Sequence, residues 1–173
     1  MKKTTIALLS TLFISAIACK RDDNNQPQQK SLSEIIVGGW ELTKMDISAK
    51  ANFLGQQVDI VGTGSNFTGV ATFKANPKEI SSTASATVGI KIVLGGTEIP
   101  FDTLSFENVF DLYKYNVLSN QQLRLIGPEQ DTININVKAY TENTIEMEFV
   151  EDIPDETTGQ VVKTTFKVNV RRK

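Results

Sequence analysis

Four stretches of this chain place an apolar side chain at every second position, and that period of two constrains the fold more than any other feature. Ala84, Ala86, Val88, Ile90, Ile92 and Leu94 alternate with Thr83, Ser85, Thr87, Gly89, Lys91 and Val93. Ile133, Ile135, Val137 and Ala139 alternate with Thr132, Asn134, Asn136 and Lys138; Ile145, Met147 and Phe149 with Glu146 and Glu148; Phe166, Val168 and Val170 with Lys167, Asn169 and Arg171. Successive side chains of an extended strand point to opposite faces, so each stretch predicts a strand with one dry and one wet face, as in antiparallel sheets. Turn signals separate them: Leu54-Gly55, Gly62-Thr63-Gly64, Asn76-Pro77, Gly95-Gly96, Ser119-Asn120, Gly127-Pro128, Glu142-Asn143 and the 155–159 run. The spacing predicts a meander of about eight to ten strands, near 40–53, 56–61, 67–74, 83–94, 97–102, 105–118, 121–126, 131–141, 144–151 and 161–171. A short helix is expected at 31–36, where Ser31 and Glu34 stand at capping-box spacing. An antiparallel meander with one dry face per strand must stack or close, and closure into an up-and-down β-barrel removes its edges.

The N-terminus carries an address. Lys2 and Lys3 precede an apolar run that includes Ile6, Leu8, Leu9, Leu12, Phe13 and Ile14, the charged and hydrophobic regions of a secretory signal. The run is shorter than the roughly 20 residues that span a bilayer. It ends in Ser15-Ala16-Ile17-Ala18-Cys19, which resembles the lipobox of signal peptidase II substrates, with Ala16 where that pattern most often has leucine. Ala16-x-Ala18 also fits an ordinary secretory cut. Cys19 favours the lipid, because it is the only cysteine of the chain and has no partner for an internal disulfide. The organisation expected is a lipoprotein signal peptide at 1–18, a flexible tether at 19–30 and a β-barrel domain at 31–173. Cys19 then accepts a diacylglycerol whose acyl chains, such as palmitate, hold the protein to a membrane.

The tether holds no apolar side chain except Pro27, so nothing in it can be buried. Its Lys20-Arg21-Asp22-Asp23 start resembles the short charged tags of some Gram-negative lipoproteins that reach the cell surface, and it reads equally well as a solvated linker. The expected location is the outer membrane, on its periplasmic face or at the cell surface. The formal net charge of −2, about −4 once Lys2 and Lys3 leave with the leader, gives no footprint for nucleic acid. With no histidine and no second cysteine, Ser-His and Cys-His nucleophile pairs are excluded, as are zinc sites. No metal, no cofactor and no enzymatic activity are expected, and the domain is expected to be a monomer.

Gly38-Gly39-Trp40-Glu41-Leu42 opens the first long strand after the short helix, and the last strand ends in Arg171-Arg172. The first run resembles the Gly-x-Trp start of lipocalins, in which a basic residue of the final strand packs on the tryptophan and closes one end of the barrel. Alternation from Phe166, Val168 and Val170 puts Arg172 on the dry face, so the resemblance implies barrel closure by Trp40 and Arg172. From the lipobox onward the chain is similar to lipocalin-like lipoproteins of Gram-negative bacteria, in which Tyr-x-Tyr-x-Val, a turn and Leu-x-Leu recur. Here these are Tyr113, Tyr115, Val117, Leu123 and Leu125.

Two roles follow for such a barrel. One is a binding module for a small apolar or amphipathic ligand, with Phe73, Ile90, Tyr113, Tyr115, Ile135, Met147, Phe149, Phe166 and Val168 lining the cavity and Tyr113 or Tyr115 offering a hydroxyl. The other is a structural or protein-interaction lipoprotein whose barrel is filled by its own side chains. Small dry-face residues (Gly69, Ala71, Ala84, Ala86, Ala139) mixed with large ones (Trp40, Phe73, Tyr113, Phe149, Phe166) suit either. The acidic 151–156 run lacks calcium-loop spacing and reads as a hairpin tip. Nothing singles out a carboxylate pair such as Asp111 and Glu148 for glycoside hydrolysis. Asp102-Thr103-Leu104 and Asp131-Thr132-Ile133 resemble an envelope O-glycosylation triplet of a length that chance supplies easily.

Overall fold

All four alternating stretches lie largely in strands, and most of their apolar residues are buried: Ala86, Val88 and Ile90; Ile133, Ile135 and Val137; Ile145, Met147 and Phe149; Phe166, Val168 and Val170; beyond Ile90 the dry face of the first stretch runs out, with Ile92 partly buried and Leu94 exposed. The computed structural model describes residues 30–53, 55–154 and 161–173. Cys19, its leader, the tether before Lys30, Leu54 and residues 155–160, on which two of the expected turns fall, lie outside the described residues. A helix α1 (Leu32–Ile35) comes first, with the Glu34 carboxylate accepting from the Ser31 backbone N–H at 2.8 Å and from its hydroxyl at 2.6 Å. The strands are β1 (Gly38–Phe53), β2 (Gln56–Thr68), β3 (Ala71–Phe73), β4 (Ile80–Ser82), β5 (Ser85–Leu94) and β6 (Thr97–Phe106), then β7 (Lys114–Ser119), β8 (Gln122–Ile126), β9 (Thr132–Tyr140), β10 (Thr144–Pro154) and β11 (Val161–Arg172).

Every paired neighbour is antiparallel. The main ladder runs β6-β5-β2-β1-β11-β10-β9-β8-β7, and β3 pairs with β1 and β4 beside it. Among the described residues the fold is thus all-β and antiparallel with one short helix. Backbone bonds also tie the β4 region to the start of β7: Ile80 N donates to Tyr113 O at 2.8 Å, Leu112 N to Ile80 O at 3.1 Å and Tyr115 N to Lys78 O at 3.2 Å. Glu79 and Lys114 form an antiparallel bridge between the same segments.

The eleven strands among the described residues exceed the eight to ten expected: β4 (Ile80–Ser82) falls where no strand was expected, and two glycines move the break between β2 and β3. Gly62-Thr63-Gly64, read as a turn, lies inside β2. Gly62 is small because β5 packs over it: a Cβ there would sit 2.8 Å from Val88 Cγ1 and 2.9 Å from Ile90 Cδ1. The break falls instead at Gly69, whose φ of +72° is left-handed and whose hypothetical Cβ would lie 1.9 Å from the Thr83 carbonyl oxygen. There the chain bends between β2 and β3 beside the corresponding bend between β4 and β5.

A strand was expected across 105–118, but 107–113 is irregular, with left-handed φ values at Asn108 (50°), Phe110 (63°) and Leu112 (62°). Two bonds fasten this segment to the bend after β4. Val109 N donates to Ala84 O at 2.9 Å, and the Asp111 carboxylate accepts from Ser82 N at 2.7 Å. No glycine or proline announces the break. A further correction concerns Ala139, expected on the dry face: the register of β9 against β10 shifts next to Met147, leaving Ala139 exposed while Tyr140 packs on the core. A bulge of this kind swaps the faces of every residue beyond it.

Candidate functional site

At one end of the sheet the dry face is capped by α1. Trp40 is fully buried, and its indole N–H donates to the Ile36 carbonyl at 2.7 Å. The Arg172 guanidinium stacks on the indole with its carbon 4.5 Å from the ring centroid. Its N–H groups donate to the carbonyls of Glu142 (2.8 Å), Val37 (3.2 Å) and Ile35. One side chain therefore fastens the β9–β10 turn and the end of α1 to the tryptophan. Gly38, at φ +129°, leaves the room: a Cβ would lie 2.7 Å from Arg172 Nη1. Arg171 points the other way and pairs with Glu41 at 3.1 Å. Leu32 N donates to the Asn120 side chain at 3.1 Å, holding the helix against the β7–β8 turn.

Further along the same dry face lies an open cleft of about 360 Å³. One wall is the end of β6 with the irregular segment, Ser105 to Phe110, together with Tyr113; the other is Met45, Ile133, Phe149 and Phe166, with Glu151 at the edge. Aromatic rings connect the walls. Phe149 and Phe166 stack with centroids 4.9 Å apart and planes 6° from parallel; Phe110 meets Phe149 edge-on at 5.8 Å and Tyr113 at 6.1 Å. Such pairs favour offset-stacked or edge-to-face arrangements because of the ring quadrupole.

Of the nine residues expected to line one cavity, Tyr113, Phe149 and Phe166 come together at this cleft. Phe73, Ile90, Tyr115, Ile135, Met147 and Val168 are instead buried in the core. Phe73 packs edge-on against Tyr115 at 5.2 Å, and the Tyr115 hydroxyl donates to Lys74 O at 2.7 Å, so it is not presented to a ligand. The Tyr113 hydroxyl faces Asp131 at 3.4 Å. Sequence reading missed Met45, Phe110 and Glu151. Glu151 carried a signal: it continues the dry positions Ile145, Met147 and Phe149 and pairs in register with Thr164, which is buried.

Burial holds the Glu151 carboxyl above the ordinary glutamate range, and the like charge of Asp131 adds to the effect. The Tyr113 phenol is raised by burial first and then by Asp131 and Glu151. The folded chain therefore binds the Glu151 proton more tightly than the unfolded chain. Ionisation costs stability as pH rises from below about 4.3 through the raised value. Glu151→Gln is expected to melt higher than the wild type at pH 7 and together with it at about pH 3. Equal melting at both pH values would mean that Glu151 ionises as freely as a surface glutamate.

A second depression, about 460 Å³, lies along Ser119, Gln121, Gln122, Asn136, Val137 and Lys138. Its polar lining offers an apolar molecule nothing that water does not. Asp111 is engaged with the Ser82 backbone and Glu148 with Lys138 at 2.8 Å, so the carboxylates considered for hydrolysis are both committed elsewhere. Among the described residues no three His, Cys, Asp or Glu side chains converge as a metal site, and no helix is long and apolar enough to cross a membrane.

No protein-family model matches the chain, and no curated protein matches it. Among solved structures, the S-type phycobiliprotein lyase CPES from Guillardia theta is similar at 11% identity over 82% of this chain and 90% of that one, with a TM-score of 0.26. A superposition that loose transfers neither ligand nor reaction.

Proposed function

We propose that this chain is a lipid-anchored envelope protein with a lipocalin-like barrel that holds a small apolar or amphipathic molecule in the cleft beside Phe149 and Phe166. The observation that carries the binding reading is the cleft itself: an aromatic floor of about 360 Å³ within the range of small-molecule sites, with a few polar groups at its rim. The barrel reading draws on the backbone bonds from Ile80 and Lys78 to 112–115, which would complete a ring β1-β3-β4-β7-β8-β9-β10-β11. It also draws on Gly38, Trp40 and Arg172, whose packing is what the Gly-x-Trp resemblance implies. The anchor rests on the lipobox-like run ending at Cys19.

The second reading, a solid barrel acting as an envelope spacer or interaction protein, is favoured by the packing of the Trp40 end. There Trp40, Leu32, Ile36 and Tyr115 leave at most 2% of their surface exposed.

Two measurements test the proposal. Cells fed a tagged fatty acid should label the wild type and not Cys19→Ser, because a hydroxyl does not replace the thiolate as acceptor; equal labelling would refute the anchor. Lipid extract from the protein's own cells should raise its melting temperature, since a ligand bound to the folded state alone stabilises it by mass action. No shift with extract and none across a broad apolar library would leave the solid barrel as the reading.

A further inference from the structure

We infer that the cleft selects an amphipathic amine, with the ammonium group at Glu151 and the apolar part against Phe110, Phe149 and Phe166. The inference rests on the ligand-binding reading of the cleft and gives that ligand a chemical class.

Three features converge. The first is the register of Glu151. On β10 it follows Met147 and Phe149 on the dry side, so the sheet turns a carboxylate toward apolar surroundings where the pattern calls for a hydrophobe. Several other acids of the sheet are paired across their ladders, Glu148 with Lys138, Asp59 with Lys50 and Glu98 with Lys91, while Glu146 and Asp102, which have no ion pair among the described residues, are exposed to solvent. Glu151 has no cation or hydrogen-bond donor among the described residues. The second is the sign of the lining: its charged members are Glu107 and Glu151, and no lysine or arginine stands among them. Asp131, near enough to act on both Glu151 and Tyr113, adds a further negative charge.

The third is the aromatic content. Phe110 and Tyr113 are only partly buried, and the faces of such rings carry the negative part of the quadrupole and attract an organic cation. An ammonium group would supply the charge-assisted hydrogen bond that Glu151 lacks. A carboxylate or phosphate head group at the same place would meet uncompensated negative charge, which disfavours fatty acids and phospholipids.

Isothermal titration of the purified protein at pH 7 with decylamine, decanol and decanoate, each below its micelle concentration, reads the preference at constant tail. Decylamine is expected to bind about tenfold more tightly than decanol, with decanoate weakest. Glu151→Gln should lose about tenfold for decylamine while holding decanol within about twofold, and Glu151→Asp should keep the preference for the amine. Decanol or decanoate binding as tightly as decylamine would overturn the amine assignment and leave the cleft as a site for neutral or acidic amphiphiles. So would a Glu151→Gln protein that loses decanol and decylamine equally, or that loses neither. No binding of any of the three would overturn the ligand-binding reading together with the inference.

Discussion

Replacing Trp40 with alanine is expected to destabilise the domain by about 3–5 kcal/mol, the range for losing a fully buried large aromatic whose surroundings cannot collapse into the space. Two further losses accompany the cavity. Ile36 O loses the indole N–H that donates to it at 2.7 Å, and Arg172 loses the ring face 4.5 Å beneath its guanidinium. For a domain of this size each kcal/mol moves the melting temperature by roughly 2–4 °C, so a drop of about 10 °C is expected. Trp40→Phe should recover most of the loss, since it keeps an aromatic face and gives up one hydrogen bond worth about 1 kcal/mol. A Trp40→Ala protein that melts within a degree or two of the wild type would show that the Trp40 end is not a centre of stability.

Gly69→Ala is expected to cost about 2–4 kcal/mol although it adds a single methyl group. Two penalties add: the left-handed backbone at φ +72° disfavours any Cβ, and this Cβ would fall 1.9 Å from the Thr83 carbonyl oxygen, a backbone atom of the neighbouring bend. The clash can be relieved only by separating β2–β3 from β4–β5 where they turn together, a movement that would disturb the Val109 bond to Ala84 O and with it the wall of the cleft. Gly89→Ala is the matched control, because its Cβ would meet nothing within 4 Å. Urea unfolding of both variants checks the contrast, and equal midpoints would contradict it.

Much of this was legible in the chain. Strict alternation marks β5, β9, β10 and β11 because each has one face on the core, and in β11 the same count puts Arg172 on the tryptophan side and Arg171 on the solvent side. Glycine was harder to read. The same residue type serves close packing at Gly62 and a bend at Gly69, and only the neighbours of each position distinguish the two. The 107–113 break had no local marker, since Phe110 and Leu112 are poor choices for left-handed backbone and are held there by bonds to residues some thirty positions earlier. That break forms a wall of the cleft, so the cleft was invisible for the same reason. Glu151 was missed although it carried a signal, because an acid at a dry position is a departure from pattern that alternation exposes. The division of the nine dry-face candidates between core and cleft depended on where the sheet opens, which periodicity does not encode.

The most direct test of the binding site is methyl-detected NMR of protein labelled at methionine and isoleucine, titrated with decanol. Met45 and Ile133 line the cleft, whereas Ile80 and Ile145 are buried in the core outside its lining. Saturable shifts at Met45 and Ile133, with Ile80 and Ile145 unmoved, are the result expected of a ligand seated on Phe149 and Phe166. Shifts that never saturate, or that leave Met45 and Ile133 in place while methyls elsewhere respond, would contradict the cleft as the site of binding.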